Sequence, residues 1–241
     1  MGRYVYYERY DEWGLLLMCV IGLSGFAGAG KSTVAEYLVR QHGFVRLSFA
    51  AAVKDITAAA FAWDRQRLEG ATPQDRAWRE EPDTFWSERM GKPFTPRYAL
   101  QYIGTDVFRN HVLPSIWADL VVAKIRGLGP HANVVIDDVR FVNERVALAK
   151  EGATFILLRR SEFATPLHQQ LWMTARGGAS IRDIETGGLH SSEWEWLRDP
   201  TVANDMEILN HGSYDDLYAA IDEWWYNTRR QDVVRDSVSV S

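Results

Sequence analysis

The residues best suited to chemistry lie in one glycine-rich stretch, GFAGAGKST at 25–33. Its spacing matches G-x-x-x-x-G-K-[ST], the Walker A pattern, with an apolar run before it and a helical pattern after it, as a phosphate-binding loop requires. Glycines let backbone amides approach an anion closely, and the start of a helix favours negative charge. We therefore predict a nucleotide site formed by Gly25, Gly28, Ala29, Gly30, Lys31, Ser32 and Thr33.

Two side chains of this loop suit the transfer of a phosphoryl group. Lys31 would span the β- and γ-phosphates of ATP as a point charge, and the Ser32 hydroxyl would complete a magnesium shell. Asp137 and Asp138 follow a second apolar run, where an open α/β sheet presents its ligand-binding groups. We expect one of them to face magnesium or the acceptor, with Asp138 preferred; the alternative is a carboxylate that only caps the next helix.

The elements that must hold these residues alternate along the chain. Short β-rich runs at 15–23, 44–50, 133–139, 153–160 and 206–212 are the predicted strands. Helical patterns separate them, and we predict helices at 31–41, 50–62, 97–109, 115–127, 142–151 and 213–227, the last capped by Ser213. Alternation of this kind predicts an α/β fold of the P-loop NTPase type, a five-stranded parallel sheet with helices on both faces.

The length of 241 residues favours one domain with insertions. We assign that domain to residues 15–228, after an amino-terminal arm at 1–14 and before a flexible tail at 229–241. Two stretches, 63–95 and 161–204, break the alternation of strands and helices. Long segments between core strands often close over substrate, so we predict an acceptor-side insertion and a lid or flap.

Composition excludes several classes of protein. The formal net charge of -5 argues against a duplex nucleic acid partner, which needs a basic face. The single cysteine allows no intrachain disulfide, which fits a reducing compartment such as the cytoplasm. The apolar run at 15–23 is far shorter than the roughly 20 residues of a membrane-spanning helix, so we expect no membrane partner.

The order of several sequence blocks makes the chain similar to a known family. The blocks are GFAGAGKST, LSFAAAVKD, RYALQYIGTDVFRN, VVIDDVRFVNE, FILLRR followed by GLHSSE, and ILNHGSYDDL. Together they cover about residues 19 to 226, and in this order they resemble the bacteriophage-type deoxynucleoside monophosphate kinases. The resemblance implies a P-loop kinase that uses ATP and Mg²⁺ to convert a deoxynucleoside monophosphate into the diphosphate for DNA precursor synthesis. It also suggests a homodimer and, for a phage protein, the host cytoplasm.

The resemblance assigns roles near the phosphates. Arg140 matches the family's strand-end arginine and would reach the acceptor phosphate; its alternative is an ion pair with Glu144. Arg159 and Arg160 would be lid cations that stabilise the migrating phosphoryl group. With Lys31 and Asp138 they complete the predicted catalytic set. The matching positions around the donor adenine are Asn210 and Gly212.

The acceptor-binding set that the resemblance implies is Lys54, Arg97, Gln101, Thr105, Asp106, Arg109 and Arg140. Lys54 is equally well explained as a solvated helix lysine, and Thr105 and Asp106 as braces between helices. On a continuous α-helix Arg97 and Arg109 would be about 18 Å apart, too far to hold one phosphate, and we rank Arg97 first. His190, Ser192 and Glu193 of the HSSE signature are predicted lid or structural residues, because direct transfer needs no covalent intermediate.

Two other functions are consistent with the same motifs. The chain could be a P-loop kinase that acts on a modified base in DNA or on another small phosphorylated metabolite. It could also be a binding module that uses ATP to change shape without catalysis. The paired carboxylates and the arginines at strand ends favour catalysis over the binding module.

Overall fold

The computed structural model describes residues 18–176, 194–198 and 206–236, with 228–236 described by their backbone only. Its sheet confirms all five predicted strands. They are β1 (Val20–Ser24), β2 (Val45–Leu47), β3 (Val134–Ile136), β4 (Thr154–Arg160) and β5 (Met206–Asn210). Their order across the sheet is β2-β3-β1-β4-β5, and every neighbouring pair is parallel.

Helices connect the strands as the sequence predicts. They are α1 (Lys31–His42), α2 (Ala50–Phe61), α3 (Pro73–Glu80), α4 (Thr84–Met90), α5 (Pro96–Gln101), α6 (Ile116–Gly127), α7 (Val142–Lys150), α8 (Pro166–Arg176) and α9 (Tyr214–Asp236). Single 3₁₀ turns occupy Arg67–Glu69 and Glu195–Arg198. In the described part of the chain, no helix combines the length and the apolar character that crossing a membrane needs.

Three details differ from the predicted helices. The helix predicted over 97–109 changes type, because α5 ends at Gln101 and a π-helix follows over Tyr102–Arg109. The last helix continues past the predicted end at 227 to Asp236, into the segment predicted as a flexible tail, since neither proline nor glycine stops it there. The segments predicted as insertions contain helices of their own, with α3 and α4 in 63–95 and α8 in 161–204.

The helices pack on both faces of the sheet, which confirms the predicted fold class. Consecutive strand residues point to opposite faces. Ile156 and Leu158 of β4 therefore join the apolar cluster that holds α1 and α9, whereas Leu157 between them packs with Leu171 and Trp172 of α8 on the other face. The central strands are buried along their length, as strands covered on both faces must be.

The chain divides into two compact units where the sequence predicts one domain with insertions. One unit combines residues 1–47 with 122–241 and contains the sheet; the other is the continuous segment 48–121. The predicted insertion at 63–95 lies within this second unit. Within the second unit, α2, α3, α5 and the π-helix contact one another, and the unit buries Leu68, Phe94 and Ala99.

Candidate active site

The glycine-rich loop joins β1 to α1 and has the backbone geometry that its sequence predicts. Gly25 has a φ of +139°, and a Cβ atom there would lie 2.1 Å from the carbonyl oxygen of Leu158. Gly30 has a φ of +103°, and its Cβ would lie 2.7 Å from Nδ2 of Asn210. Gly30 is also the N-cap of α1 and has no side chain that could occupy the first amides of the helix.

Lys31 begins α1 and turns back along the loop. Its Nζ donates to the carbonyl oxygens of Gly25, at 2.7 Å, and Phe26, at 2.9 Å. The ring of Phe26 anchors the loop on its other side, because it packs against His168 with ring centroids 4.5 Å apart and against Trp196 at 5.1 Å. The ammonium group of Lys31 thus lies against the carbonyl oxygens of the loop backbone.

The loop serine contacts the first of the two predicted carboxylates. Ser32 Oγ donates to Oδ2 of Asp137 at 2.9 Å. Asp137 follows directly after β3, which neighbours β1 in the sheet, and it is buried. Asp138, preferred from the sequence, is half-buried at the next position. The structure thus brings Asp137 together with Ser32.

Arg46 of β2 holds both oxygens of the same carboxylate. Its Nη2 donates to Oδ2 of Asp137 at 2.6 Å, and its Nε donates to Oδ1 at 3.1 Å. Glu36 of α1 lies 3.7 Å from Nη1. Burial acts to lower the pKa of Arg46, but the hydrogen bonds and charge of Asp137, with the charges of Glu36 and Asp138, raise it above the ordinary value. The guanidinium is therefore permanently charged.

Glu144, rather than either aspartate, caps the helix after β3. Its Oε2 accepts from the backbone amides of Arg140, at 2.8 Å, and Phe141, at 3.0 Å. The predicted alternative for Arg140 was an ion pair with Glu144, which stays a prediction; the structure shows a contact between the two residues through the backbone amide of Arg140. The side chain of Arg140 is exposed.

The turn after β5 reaches the phosphate loop. Asn210 Nδ2 donates to the carbonyl oxygen of Ala29 at 3.1 Å. Gly212 precedes the helix cap, and a Cβ there would lie 2.2 Å from Oδ2 of Asp216. Ser213 Oγ accepts from the backbone amide of Asp216 at 3.3 Å, which confirms the predicted cap of α9. The predicted adenine-side residues thus form a turn that braces the loop.

The predicted lid cation Arg159 is already bonded. Its Nε donates to Oε1 of Glu207 at 3.1 Å, and its guanidinium lies 5.3 Å from the centroid of the Trp172 ring. Arg176 of α8 bonds the other oxygen of Glu207 and lies 4.7 Å from the same ring. Two arginines therefore share one carboxylate and one indole. Arg160, at the end of β4, is exposed.

The predicted acceptor residues other than Arg140 lie in the second unit. Lys54 is half-buried on α2, and its Nζ donates to Oε2 of Glu69 at 2.5 Å. Arg97 forms an ion pair with Glu80. Gln101 ends α5, and Thr105, Asp106 and Arg109 lie on the π-helix, whose wider turns do not follow the 3.6-residue period that the prediction assumed.

Part of the predicted lid lies outside the described residues. His190, Ser192 and Glu193 belong to this part. Their predicted roles stay predictions.

One relative decides the family. A protein of Acanthamoeba polyphaga mimivirus, named "Putative deoxynucleotide monophosphate kinase", is 34% identical over 158 residues, which cover 61% of this chain and 77% of that protein. The chain belongs to the deoxynucleotide monophosphate kinase family. No model of a protein family matches the sequence. Membership of the deoxynucleotide monophosphate kinase family makes the chain a P-loop kinase, a phosphotransferase that binds nucleotide.

Several solved structures are similar in fold to this member of the deoxynucleotide monophosphate kinase family. TT1252 from Thermus thermophilus is 19% identical, covers 87% of this chain and 97% of its own, and gives a TM-score of 0.43. Shikimate kinase from Acinetobacter baumannii is 17% identical, with coverage of 88% and 94% and a TM-score of 0.43. Dephospho-CoA kinase from Campylobacter jejuni is 14% identical, with coverage of 86% and 96% and a TM-score of 0.42.

Sequence reasoning missed several residues at the site of this deoxynucleotide monophosphate kinase family member. Arg46 lies on a three-residue strand whose alternation suggests only a solvent-facing cation. Arg176 and Glu207 are distant in the chain, and they meet because β5 lies beside β4 and α8 packs on that face. The sequence shows only that Arg46 lies on β2, the strand that precedes β3 in the chain. The pairing of β2 with β3 in the sheet is what places Arg46 beside Asp137.

Proposed function

We propose that the protein transfers the γ-phosphoryl group of ATP to a deoxynucleoside monophosphate, giving the diphosphate and ADP. The observation that carries the proposal is the contact between Ser32 of the phosphate loop and the strand-end carboxylate of Asp137, in a chain of the deoxynucleotide monophosphate kinase family. Such a contact joins the loop that would hold the donor phosphates to the edge of the sheet where ligands bind.

The donor triphosphate would lie along residues 25–33. The amides of the loop and of the first turn of α1 supply hydrogen-bond donors, and Lys31 supplies a positive charge. To reach the β- and γ-phosphates, Lys31 would exchange its bonds to the carbonyls of Gly25 and Phe26 for phosphate oxygens. We assign Asn210 to bracing of the loop, since its amide bonds Ala29.

Magnesium fits the oxygen atoms at the start of α1. Ser32 Oγ is a hard oxygen donor of the type that Mg²⁺ prefers, and Oδ2 of Asp137 lies 2.9 Å behind it. Among the described residues, no group of three or more His, Cys, Asp or Glu side chains could hold a metal by itself. Bound to the phosphates, the metal would offset charge on the transferring group.

The acceptor phosphate is already an anion, so its oxygen can attack without a general base. That oxygen would form the new bond to the γ-phosphorus while the bond from that phosphorus to the bridging oxygen of ADP breaks. Arg140 and Asp138, on the loop after β3, would orient the acceptor. Arg159 and Arg160, at the end of β4, would neutralise the migrating charge.

The second unit would bind the rest of the acceptor. Its proposed contacts are Lys54, Arg97, Gln101, Thr105, Asp106 and Arg109. Lys54 and Arg97 are paired with Glu69 and Glu80, so each would exchange a carboxylate for a phosphate or act by fixing its neighbours.

The test is the release of ADP from ATP and Mg²⁺ with each common deoxynucleoside monophosphate. Ribonucleotides and a reaction without acceptor are the controls, and the diphosphate product is identified by chromatography. Lys31→Ala should lower turnover by about a hundredfold or more, because a preorganised charge is lost. Lys150→Ala, which removes an exposed lysine of the same unit, should not change turnover. ATP hydrolysis that ignores the acceptor, or no reaction with any deoxynucleotide, would contradict the proposal.

A further inference from the structure

Three residues around the phosphate loop form one hydrogen-bonded group: Ser32, Asp137 and Arg46. Arg46 reaches both oxygens of Asp137, and Oδ2 also accepts from Ser32. Asp137 is only 6% exposed, whereas the Arg46 side chain is 38% exposed. The buried carboxylate thus depends on an arginine that reaches it from the neighbouring strand.

Fork-shaped pairing fixes a carboxylate in a way that a single contact does not. Two hydrogen bonds from the planar guanidinium set the plane of the carboxyl group as well as its distance. With that plane fixed, Oδ2 of Asp137 points at Ser32. The sheet fixes the arginine in turn, because Arg46 pairs with Val135, two residues before Asp137 in the neighbouring strand.

The same pairing occupies the oxygens that a cation would need. A divalent ion that bound Asp137 directly would have to displace Arg46 from the carboxylate. The guanidinium would then keep only its contact with Glu36 and would lie close to the metal. The charge of Arg46 would also repel the ion. The arrangement therefore disfavours metal binding to Asp137 before the nucleotide arrives.

We infer that Arg46 is a positioning residue that holds Asp137 in the outer shell of the metal, so that this carboxylate acts on the metal through Ser32. This inference rests on the proposed function, because it presumes that a metal arrives with the donor nucleotide. It goes beyond that function by assigning a role to Arg46 of β2. Arg46 keeps a nucleotide-free site from binding metal and keeps Ser32 oriented when the site is filled.

The first experiment measures binding of Mn²⁺ alone by electron paramagnetic resonance, which needs no acceptor and no turnover. Arg46→Gln should bind Mn²⁺ without nucleotide at a roughly tenfold lower concentration than the wild-type protein, because one repelling charge is gone and the guanidinium no longer occupies the oxygens of Asp137. Adding Asp137→Asn to this variant should abolish the gain. Arg126→Gln, which removes an equal charge from an exposed ion pair with Glu151, is the matched control.

The second experiment separates charge from geometry with Arg46→Lys, which also serves if Arg46→Gln fails to fold. Lysine keeps the repelling charge but offers no planar fork. Mn²⁺ binding without nucleotide should therefore stay at the wild-type level, while kcat falls about tenfold and KM for the acceptor stays unchanged. A lysine variant with unchanged kcat would overturn the positioning role.

The metal measurement also decides the inference independently of the substrate. An Arg46→Gln variant that binds Mn²⁺ like the wild-type protein, or a gain that persists without the carboxylate of Asp137, would overturn the inference. If no deoxynucleotide is phosphorylated, the proposed function fails while the Mn²⁺ comparison can still succeed. The two failures are therefore distinguishable.

Discussion

Asn210 illustrates how a single residue far along the chain can shape the phosphate loop. Its amide bonds the carbonyl of Ala29, and its Nδ2 occupies the space that a side chain at Gly30 would need. The loop conformation is thus determined from both sides, by the φ angles of its glycines and by a contact from the last strand. This second constraint makes the glycine at position 30 a packing requirement as well as a conformational one.

Replacing Asn210 with alanine tests whether this residue braces the loop or contacts adenine. If it braces the loop, Asn210→Ala should raise KM for ATP and for GTP by the same factor, about fivefold, because one hydrogen bond worth about 1 kcal/mol is lost. Steady-state kinetics with both donors checks this. A change in the ratio of ATP to GTP efficiency would instead indicate base recognition, as the sequence comparison predicted. His211→Ala, at the next position, is the control.

Among the elements, α1 and α9 are joined by a polar group within aromatic packing. Asp222 of α9 accepts from Tyr37 Oη at 2.6 Å and lies 2.8 Å from Nε2 of His42. The Tyr37 ring stacks on Tyr218 with centroids 4.1 Å apart. Because α1 carries the phosphate loop at its start, this contact anchors the loop helix to the last helix.

Tyr37→Phe should weaken this anchor in a pH-dependent way. The hydrogen bond to Asp222, then burial and neighbouring charges, raise the pKa of Tyr37 from 10.0 to about 12. A raised pKa contributes stability that is complete below the unfolded value and is lost as pH rises through the folded one, here from about 10 to about 12. The variant should lose about 1 kcal/mol of unfolding free energy at pH 8 and show a shallower decline above pH 10.

Denaturant unfolding at pH 8 and at pH 11 checks this prediction. Tyr218→Phe is the matched control, since it removes a hydroxyl from the stacked ring and leaves the bond from Tyr37 to Asp222 in place. Equal losses in the two variants, with equal pH profiles, would show that the hydrogen bond does not set the alkaline stability.

The sequence predicts an element well when neighbouring residues determine it, and poorly when contacts between distant residues determine it. The five strands and the loop residues Lys31 and Ser32 follow from apolar runs and glycine spacing, which act over a few neighbouring positions. The π-helix at Tyr102–Arg109 does not follow from such a pattern; within it, Gly104 packs closely against Val53 of α2, whose Cγ1 would lie 3.2 Å from an added Cβ. Likewise, the choice of Asp137 as partner of Ser32 depends on strand order, which no local pattern encodes.

At the scale of the whole molecule, the second unit has a charge network of its own. Glu69 accepts from Nζ of Lys54 and from Nη1 of Arg65, each at 2.5 Å, and Arg65 also bonds Asp55. The network links α2 to the 3₁₀ turn at Arg67–Glu69. It gives residues 48–121 a source of stability that the sheet does not share.

Glu69→Gln should destabilise the second unit selectively and change its acid sensitivity. Burial acts to raise the pKa of Glu69, but hydrogen bonds from Lys54 and Arg65 lower it below the ordinary value. A lowered pKa contributes stability above the unfolded value, about 4.3, which is lost as pH falls through the folded value. Because Glu69 is partly exposed, we expect a loss of only about 1 kcal/mol at pH 7.

Hydrogen exchange measured by mass spectrometry localises this effect. Faster exchange in 48–121 at pH 7, with unchanged exchange in the sheet and a smaller difference from wild type near pH 3, is the expected result. Glu88→Gln removes an exposed carboxylate from the same unit and should leave exchange unchanged. Uniform acceleration across both units would contradict a separate network.

The predicted homodimer, the amino-terminal arm and the cytoplasmic location stay predictions.

The order of strands in the sheet has a consequence for biosynthesis. The strand β1 is made before both of its neighbours in the sheet, since Val20 pairs with Val134 and Ile21 with Thr154. Until the ribosome has passed Val134, this apolar strand has no native neighbour on either side. Such delayed pairing slows folding and exposes an aggregation-prone segment. A nascent chain interrupted within residues 48–121 would therefore carry the complete phosphate loop without the sheet that holds it.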